Sequence, residues 1–239
     1  MTYLVVQQDG PLKRIILNRP EKRNALNILL AEEITEQIQL SKIDNTRLIV
    51  FQGNGPSFCA GFDFSNFPDC SSAELLLQFV RIEQMLQAIA YSPIDTLVYM
   101  HGSTIGAGAD LAIACRHRAT ASNTKLMFPG SRFGIVLGTR RLAECVGGDR
   151  AQHMVGGAHI NAQDALKINI AHKIIEANEH SDYENALLEF ILQVPADTRS
   201  QILKVTRVDT RAEDMMDLVI SATSSTLKER LGMYLAPKK

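Results

Sequence analysis

No stretch of this 239-residue chain approaches the roughly 20 consecutive apolar residues that span a bilayer. Met1-Thr2-Tyr3-Leu4 lacks the basic segment and apolar run of a secretory leader, so the chain reads as cytoplasmic, with no membrane partner. An excess of either charge is lacking as well. Lys and Arg number 25 against 26 Asp and Glu, a formal net charge of -1, which leaves no basic footprint for nucleic acid. Cysteine is scarce and dispersed: Cys59, Cys70, Cys115 and Cys145 form no Cys-x-x-Cys pair, and no His stands at a zinc-ligand offset. That pattern predicts neither a disulfide framework nor a metal site.

Apolar side chains, by contrast, make up 46% of the residues against 21% charged, enough for one large domain or a core with an appendage. Leu4-Val5-Val6 and Arg14-Ile15-Ile16-Leu17 flank an Asp9-Gly10 turn and predict a hairpin. Leu29, Leu30, Ile34 and Ile38 predict a helix from about Asn27 to Ser41, followed by a strand from Arg47 to Gln52. Ser71-Ser72-Ala73-Glu74 has the form of a capping box opening a helix to about Ala90, with Leu75, Phe79, Ile82, Leu86 and Ile89 as its face. A strand from Thr96 to Met100 follows. Beyond about Ala177 the pattern is helical, over Tyr183–Gln193, Asp197–Val208 and Glu213–Leu231. Strand-then-helix units define an α/β class, and fit either an open sheet or a spiral of ββα turns. The natural division is a core over 1–178 and a helical segment over 179–239.

Two short segments stand out: Phe58-Cys59-Ala60-Gly61-Phe62-Asp63, and His101 to Asp110 with Gly102, Gly106 and Gly108. Each follows a β-prone run and pairs small residues with a carboxylate. Glycine turns let backbone approach a ligand, and two converging N–H groups hold a developing oxyanion. A nucleotide loop does not fit, because no Gly-Lys-Ser/Thr follows and Leu111 stands where a dinucleotide fingerprint needs glycine. The bland reading of either segment is a tight turn packing a helix on a sheet. For Cys59 the two readings are a nucleophile and a small buried apolar residue.

The pair resembles the enoyl-coenzyme A hydratase/isomerase, or crotonase, superfamily, whose members hold acyl-CoA thioesters. Leu17-Asn18-Arg19-Pro20-Glu21-Lys22-Arg23-Asn24-Ala25-Leu26-Asn27 is similar to the family's first coenzyme-binding segment, and Ile160-Asn161-Ala162-Gln163-Asp164-Ala165 to a later one. The resemblance implies a ββα spiral core and a C-terminal helical segment that packs in trimers, often paired into hexamers. It implies no metal or redox cofactor, only the coenzyme A moiety of the substrate. By position it implies that the N–H groups of Phe62 and Ala107 form an oxyanion hole. Lys22 and Arg23 would meet coenzyme phosphates, and Ala25 and Ala60 the adenine and pantetheine arm.

The chain also departs from the family's pattern. Hydratases of the family use two glutamates; here the first slot holds Asp110 and the second falls on Gly130, which transfers no protons. Asp110 is either the single acid/base or an acid favouring a helix N-terminus. The stretch from Ile135 to Leu142 is shortened, and the chain ends at Leu235-Ala236-Pro237-Lys238-Lys239 where relatives carry a longer tail over the coenzyme. Arg132, Arg140 or Arg141 would meet a substrate carboxylate or form surface and interface ion pairs. His101 reads as structural at a strand end, and His117, between Arg116 and Arg118, as structural in an exposed turn. The expectation is an acyl-CoA enzyme suited to lyase chemistry such as decarboxylation, or to thioester hydrolysis, rather than two-glutamate hydration. The rivals are a non-catalytic acyl-CoA binder, a hydratase/isomerase with a rearranged acid/base and, disfavoured by the poor fingerprint, a nicotinamide oxidoreductase.

Overall fold

A computed structural model describes residues 3–236. Strands β1 (Leu4–Asp9) and β2 (Leu12–Leu17) form the expected hairpin, turning at Gly10 with φ +54°. Asn27 caps α1 (Ile28–Ser41) by accepting from the Leu30 N–H, and α1 leads into β3 (Leu48–Gly53). Ser71 and Glu74 form the capping box of α2 (Ser72–Ala90), whose five expected face residues are all buried. On α1 the expected face is corrected at one place: Leu29 is exposed, because the buried stripe runs through Leu30, Ala31, Ile34 and Ile38.

Next come β4 (Asp95–Met100), β5 (Ser103–Ile105), α3 (Ala107–Ala114), β6 (His117–Thr120) and β7 (Lys125–Met127). The short α4 (Thr139–Val146), α5 (Gly148–Met154), β8 (Ile160–Asn161), α6 (Ala162–Lys167) and β9 (Lys173–Ile174) follow. A six-stranded sheet runs β1-β2-β3-β4-β6-β9, parallel except for the hairpin, and a second sheet runs β5-β7-β8. From β4 to β7 the chain alternates between the sheets, β4 and β6 in the first and β5 and β7 in the second, which selects the spiral over the open sheet. Single bridges, Leu26 to Phe62 and Cys59 to Thr104, extend the second sheet through the Cys59 segment.

Strand pleat sorts the core. Ile49, Phe51, Val98 and Met100 face α1, α2 and α3, while Leu48, Val50, Leu97 and Tyr99 face Leu187 and Ile191 of α7 (His180–Leu192). Burial on both faces explains why these strands read as continuous apolar runs. After α8 (Ala196–Val205), the helix expected over 213–231 is instead two, α9 (Arg211–Ala222) and α10 (Leu227–Leu235). Thr223, Ser224, Ser225 and Thr226 separate them; such hydroxyls compete for backbone groups, and Ser224 and Thr226 pair with each other across the break. Helix α8 likewise stops at Val205, where the Thr206 hydroxyl takes the Ile202 carbonyl. Leu218, Leu227 and Leu231 belong to the main core, so α9 and α10 lie against the spiral. The leader and tail expectations concern Met1, Thr2 and Pro237 to Lys239, which lie outside the described residues. Among the described residues no helix is long and apolar enough to cross a membrane.

Candidate active site

The two small-residue segments meet edge to edge. Cys59 N–H donates to the Ser103 carbonyl (3.2 Å), and Ile105 N–H to the Cys59 carbonyl (3.0 Å). Close approach depends on glycine at two places. At Gly61, with φ +91°, a Cβ would fall 2.5 Å from the Ile105 oxygen and 3.4 Å from the Ala107 nitrogen. At Gly108 it would fall 2.5 Å from the Cys59 oxygen, so α3 seats directly on the loop. The bond from Leu26 N–H to the Gly61 carbonyl (2.7 Å) and that from Asp63 N–H to the Leu26 carbonyl (2.9 Å) straddle Phe62 and leave its N–H without a backbone acceptor. Ala107 opens α3, where an N–H has no intrahelical partner. Both residues line one cavity of about 180 Å³, together with Ala60, Asp110 and Gly130.

Asp110 is 5% exposed and its carboxyl makes no hydrogen bond among the described residues. Burial pushes it well above the usual carboxylate range; the positive charge of Arg141 opposes this, and the negative charge of Glu83 adds to it. The shortened stretch after Gly134 bears on this group. Gly138, at φ +65°, caps α4 so closely over Asp110 that a Cβ there would overlap the carboxylate. Gly130 contributes only backbone to the cavity.

The coenzyme segment folds against the same loop. Ala60 N–H donates to the Arg23 carbonyl (2.9 Å), with Arg23 left-handed at φ 50°. Lys22 and Arg23 are exposed, and Lys22 reaches the Ser65 hydroxyl (3.2 Å). Ala25 is buried, and neither it nor Lys22 nor Arg23 lines the cavity. Two residues of this run to which the sequence pattern assigns no role, Asn24 and Arg19, hold it in place. Buried Asn24 accepts from Arg19 N–H (2.8 Å) and donates to the carbonyls of Asn54 and Ser57 (2.9 Å each). Arg19 spans the Ala25 carbonyl (2.6 Å) and the Asp63 carboxylate (2.8 Å).

The structure decides between the alternatives left open for Cys59 and the arginines, and corrects the exposed placement of Arg141 and His117. Cys59 is fully buried, its thiol pushed up to about 12 by burial and placed 3.0 Å from the Asn24 carbonyl, so the nucleophile reading falls. None of Arg132, Arg140 and Arg141 lines the cavity. Arg132 holds the Gly156 and Gly157 carbonyls, and Arg140 pairs with Asp214 and Asp217. Arg141 is not a surface residue: 1% exposed, it ties Glu83 of α2 (2.5 Å) to Asp214 of α9 (3.0 Å). His117 is not in an exposed turn but opens β6, bonded to buried Asp95 (3.0 Å), and Arg118 beside it is buried. His101 contacts the Gly55 carbonyl (3.1 Å). Among the described residues no three His, Cys, Asp or Glu side chains converge as metal ligands.

A ββα spiral whose second sheet frames an apolar cavity with two free N–H groups is a crotonase fold. The chain belongs to the enoyl-CoA hydratase/isomerase family, whose model matches residues 8–229. It is 37% identical over 173 residues to the Mycobacterium tuberculosis protein named enoyl-CoA hydratase echA6, spanning 71% of this chain and 69% of the relative. A solved enoyl-CoA hydratase/isomerase from Bordetella parapertussis superposes with TM-score 0.97 at 34% identity, covering 100% of both chains. An enoyl-CoA hydratase from Thermobifida fusca, solved with acetoacetyl-CoA, superposes at 0.76 and 26% identity, over 91% of this chain and 93% of that one. Members of the family process acyl-CoA substrates.

Proposed function

We propose that the chain is a lyase of decarboxylase type, acting on acyl-CoA thioesters that carry a carboxylate on Cα. The N–H groups of Phe62 and Ala107 receive the thioester oxygen. Lys22 and Arg23 meet the coenzyme phosphates, with Ala25 and Ala60 along the adenine and pantetheine arm. The Cα–carboxylate bond breaks, carbon dioxide leaves, and the electron pair passes into an enolate whose negative oxygen the two N–H groups stabilise more than they stabilise the neutral carbonyl. Asp110, as the neutral acid, gives its proton to Cα and is reprotonated from water. No cofactor beyond the coenzyme A moiety is called on.

The observation carrying this reading is the single carboxyl, buried and pushed upward, that lines one cavity with Phe62, Ala107 and a glycine at position 130. A protonated acid quenches an enolate but is a poor base for activating water, and Gly130 supplies no second carboxylate. Apolar walls also favour converting a carboxylate into neutral carbon dioxide. The test is a product assay over 2-substituted malonyl-CoA thioesters, crotonyl-CoA and saturated acyl-CoA. Carbon dioxide release that Asp110→Asn slows by about 100-fold supports the reading. Efficient crotonyl-CoA hydration that Asp110→Asn leaves unchanged overturns it, and binding across the panel without turnover replaces it with the non-catalytic binder.

The chain further assembles, in this reading, as a homotrimer or dimer of trimers through the segment 179–239. Phe190, Val205, Val208, Ile220 and Met233 are each more than half exposed there, an apolar burden that a second copy would cover. Light scattering reads this directly: three- or sixfold chain mass supports it, monomer mass refutes it.

A further inference from the structure

We propose, resting on the acyl-CoA reading, that the cavity selects a compact, uncharged, ring-sized acyl body, aryl above all, and rejects both long chains and a distal carboxylate. Size is the first ground. An apolar cavity of about 150 Å³ holds benzene. The present one is about 180 Å³ with the Phe62 and Ala107 end included, so a single ring fills most of it.

The walls are the second ground. Phe62 stacks on Phe79 with centroids 4.5 Å apart and planes 23° from parallel, giving a flat surface beside the free N–H groups. Farther in, Phe133 meets Tyr234 of α10 at 5.0 Å, and Phe64 stands edge-on to Phe133 at 6.0 Å and 88°. The stacked Phe62–Phe79 pair and the edge-on Phe64–Phe133 pair, joined by the 4.9 Å contact of Phe62 with Phe64, offer both arrangements in which an aromatic ring packs best.

The polar inventory is the third. Among the described residues no Lys, Arg or His side chain lines the cavity. The Ser131 hydroxyl already donates to the Val155 carbonyl (2.6 Å), and that of Thr139 to the Leu137 carbonyl (3.5 Å). Asp110 and the Tyr234 hydroxyl are then the polar lining side chains without a partner among the described residues. A distal carboxylate would be desolvated there with no counter-ion.

Calorimetric titration of the full-length protein tests this. The probes are acyl-CoA ketone analogues in which methylene replaces the thioester sulfur, so that no turnover intervenes. Phenylacetyl is expected to bind at least tenfold tighter than acetyl and glutaryl, and tighter than hexanoyl, with dodecanoyl no tighter than hexanoyl. Tyr234→Ala and Phe133→Ala, which open the far wall, are expected to shift preference toward dodecanoyl by tenfold or more. Affinity rising from hexanoyl to dodecanoyl in the wild-type protein, or glutaryl matching phenylacetyl, overturns the proposal and leaves the acyl-CoA reading standing. Binding of none of the analogues by folded protein overturns both.

Discussion

Asp110 carries two opposed effects, and the difference between them is measurable. Burial holds its carboxyl above the usual carboxylate range, outweighing the pull of Arg141. Between its unfolded pKa, near 3.8, and its raised folded value, the native state binds more protons than the unfolded state. Stability contributed by this group therefore falls as pH rises through that interval. Asp110→Asn removes the penalty, so thermal unfolding is expected to show a more stable variant at pH 7 and a gain that vanishes toward pH 4. Increased stability with lost turnover marks a residue kept for chemistry rather than for the fold. If Asp110 served only to favour the helix N-terminus, the same substitution would destabilise. The second residue-level feature is an absence. A glutamate at 130 would enter a cavity where an added Cβ already meets the Ile135 oxygen at 3.1 Å, so restoring the missing carboxylate requires movement of the 130–135 turn.

At the scale of elements, the site is held by contacts that sequence patterns register unevenly. The capping box at Ser71 and the α2 stripe are local, and both were legible because their physics lies within a few turns of chain. The meeting of the two glycine segments was legible only through family resemblance, since the Cys59 to Thr104 bridge joins residues 45 positions apart. The Arg141 clamp was not legible at all. Nothing in Thr139-Arg140-Arg141-Leu142 distinguishes the buried arginine from the neighbour that is 40% exposed, because the carboxylates that bury it come from α2 and α9. The break between α9 and α10 was missed for another reason: apolar periodicity continues through four hydroxyl residues that end the helix. Arg141→Leu is expected to cost about 3–5 kcal/mol in denaturant unfolding, because Glu83 is left buried without its cation, whereas Asp214 keeps Arg140. Pairing it with Glu83→Gln is expected to recover part of that loss, and a strictly additive double variant would show that the clamp does not act as a unit.

At the scale of the whole molecule, the C-terminal helices are fastened to the spiral by both packing and charge. Asp95 on β4 is fully buried and accepts from Arg199 of α8 (2.6 and 2.7 Å) and from His117 of β6 (3.0 Å). Burial pushes its carboxyl up, but the hydrogen bonds from Arg199 and His117 outweigh that and hold it at about 2. The stability it contributes is complete above its unfolded value of 3.8 and is lost as pH falls through about 2. Asp95→Asn is expected to lower stability at pH 7 and to flatten the acid limb between pH 4 and 2; an unchanged acid limb would place the sensitivity elsewhere. The same helices bring Tyr234 to the cavity wall, so cover of the acyl group and attachment of the C-terminal segment are one structural fact.

The central claim is that two backbone N–H groups stabilise a thioester-derived anion, and Ala107 offers direct access to one of them. It is the first residue of α3, where proline is tolerated and removes only the N–H. The measurement is kcat for carbon dioxide release from a 2-substituted malonyl-CoA by wild type and Ala107→Pro, alongside the Kd of a product ketone analogue. The expected result is a kcat loss on the order of 100-fold or more with far UV circular dichroism preserved and Kd changed by less than tenfold. A folded Ala107→Pro variant with wild-type kcat would contradict it.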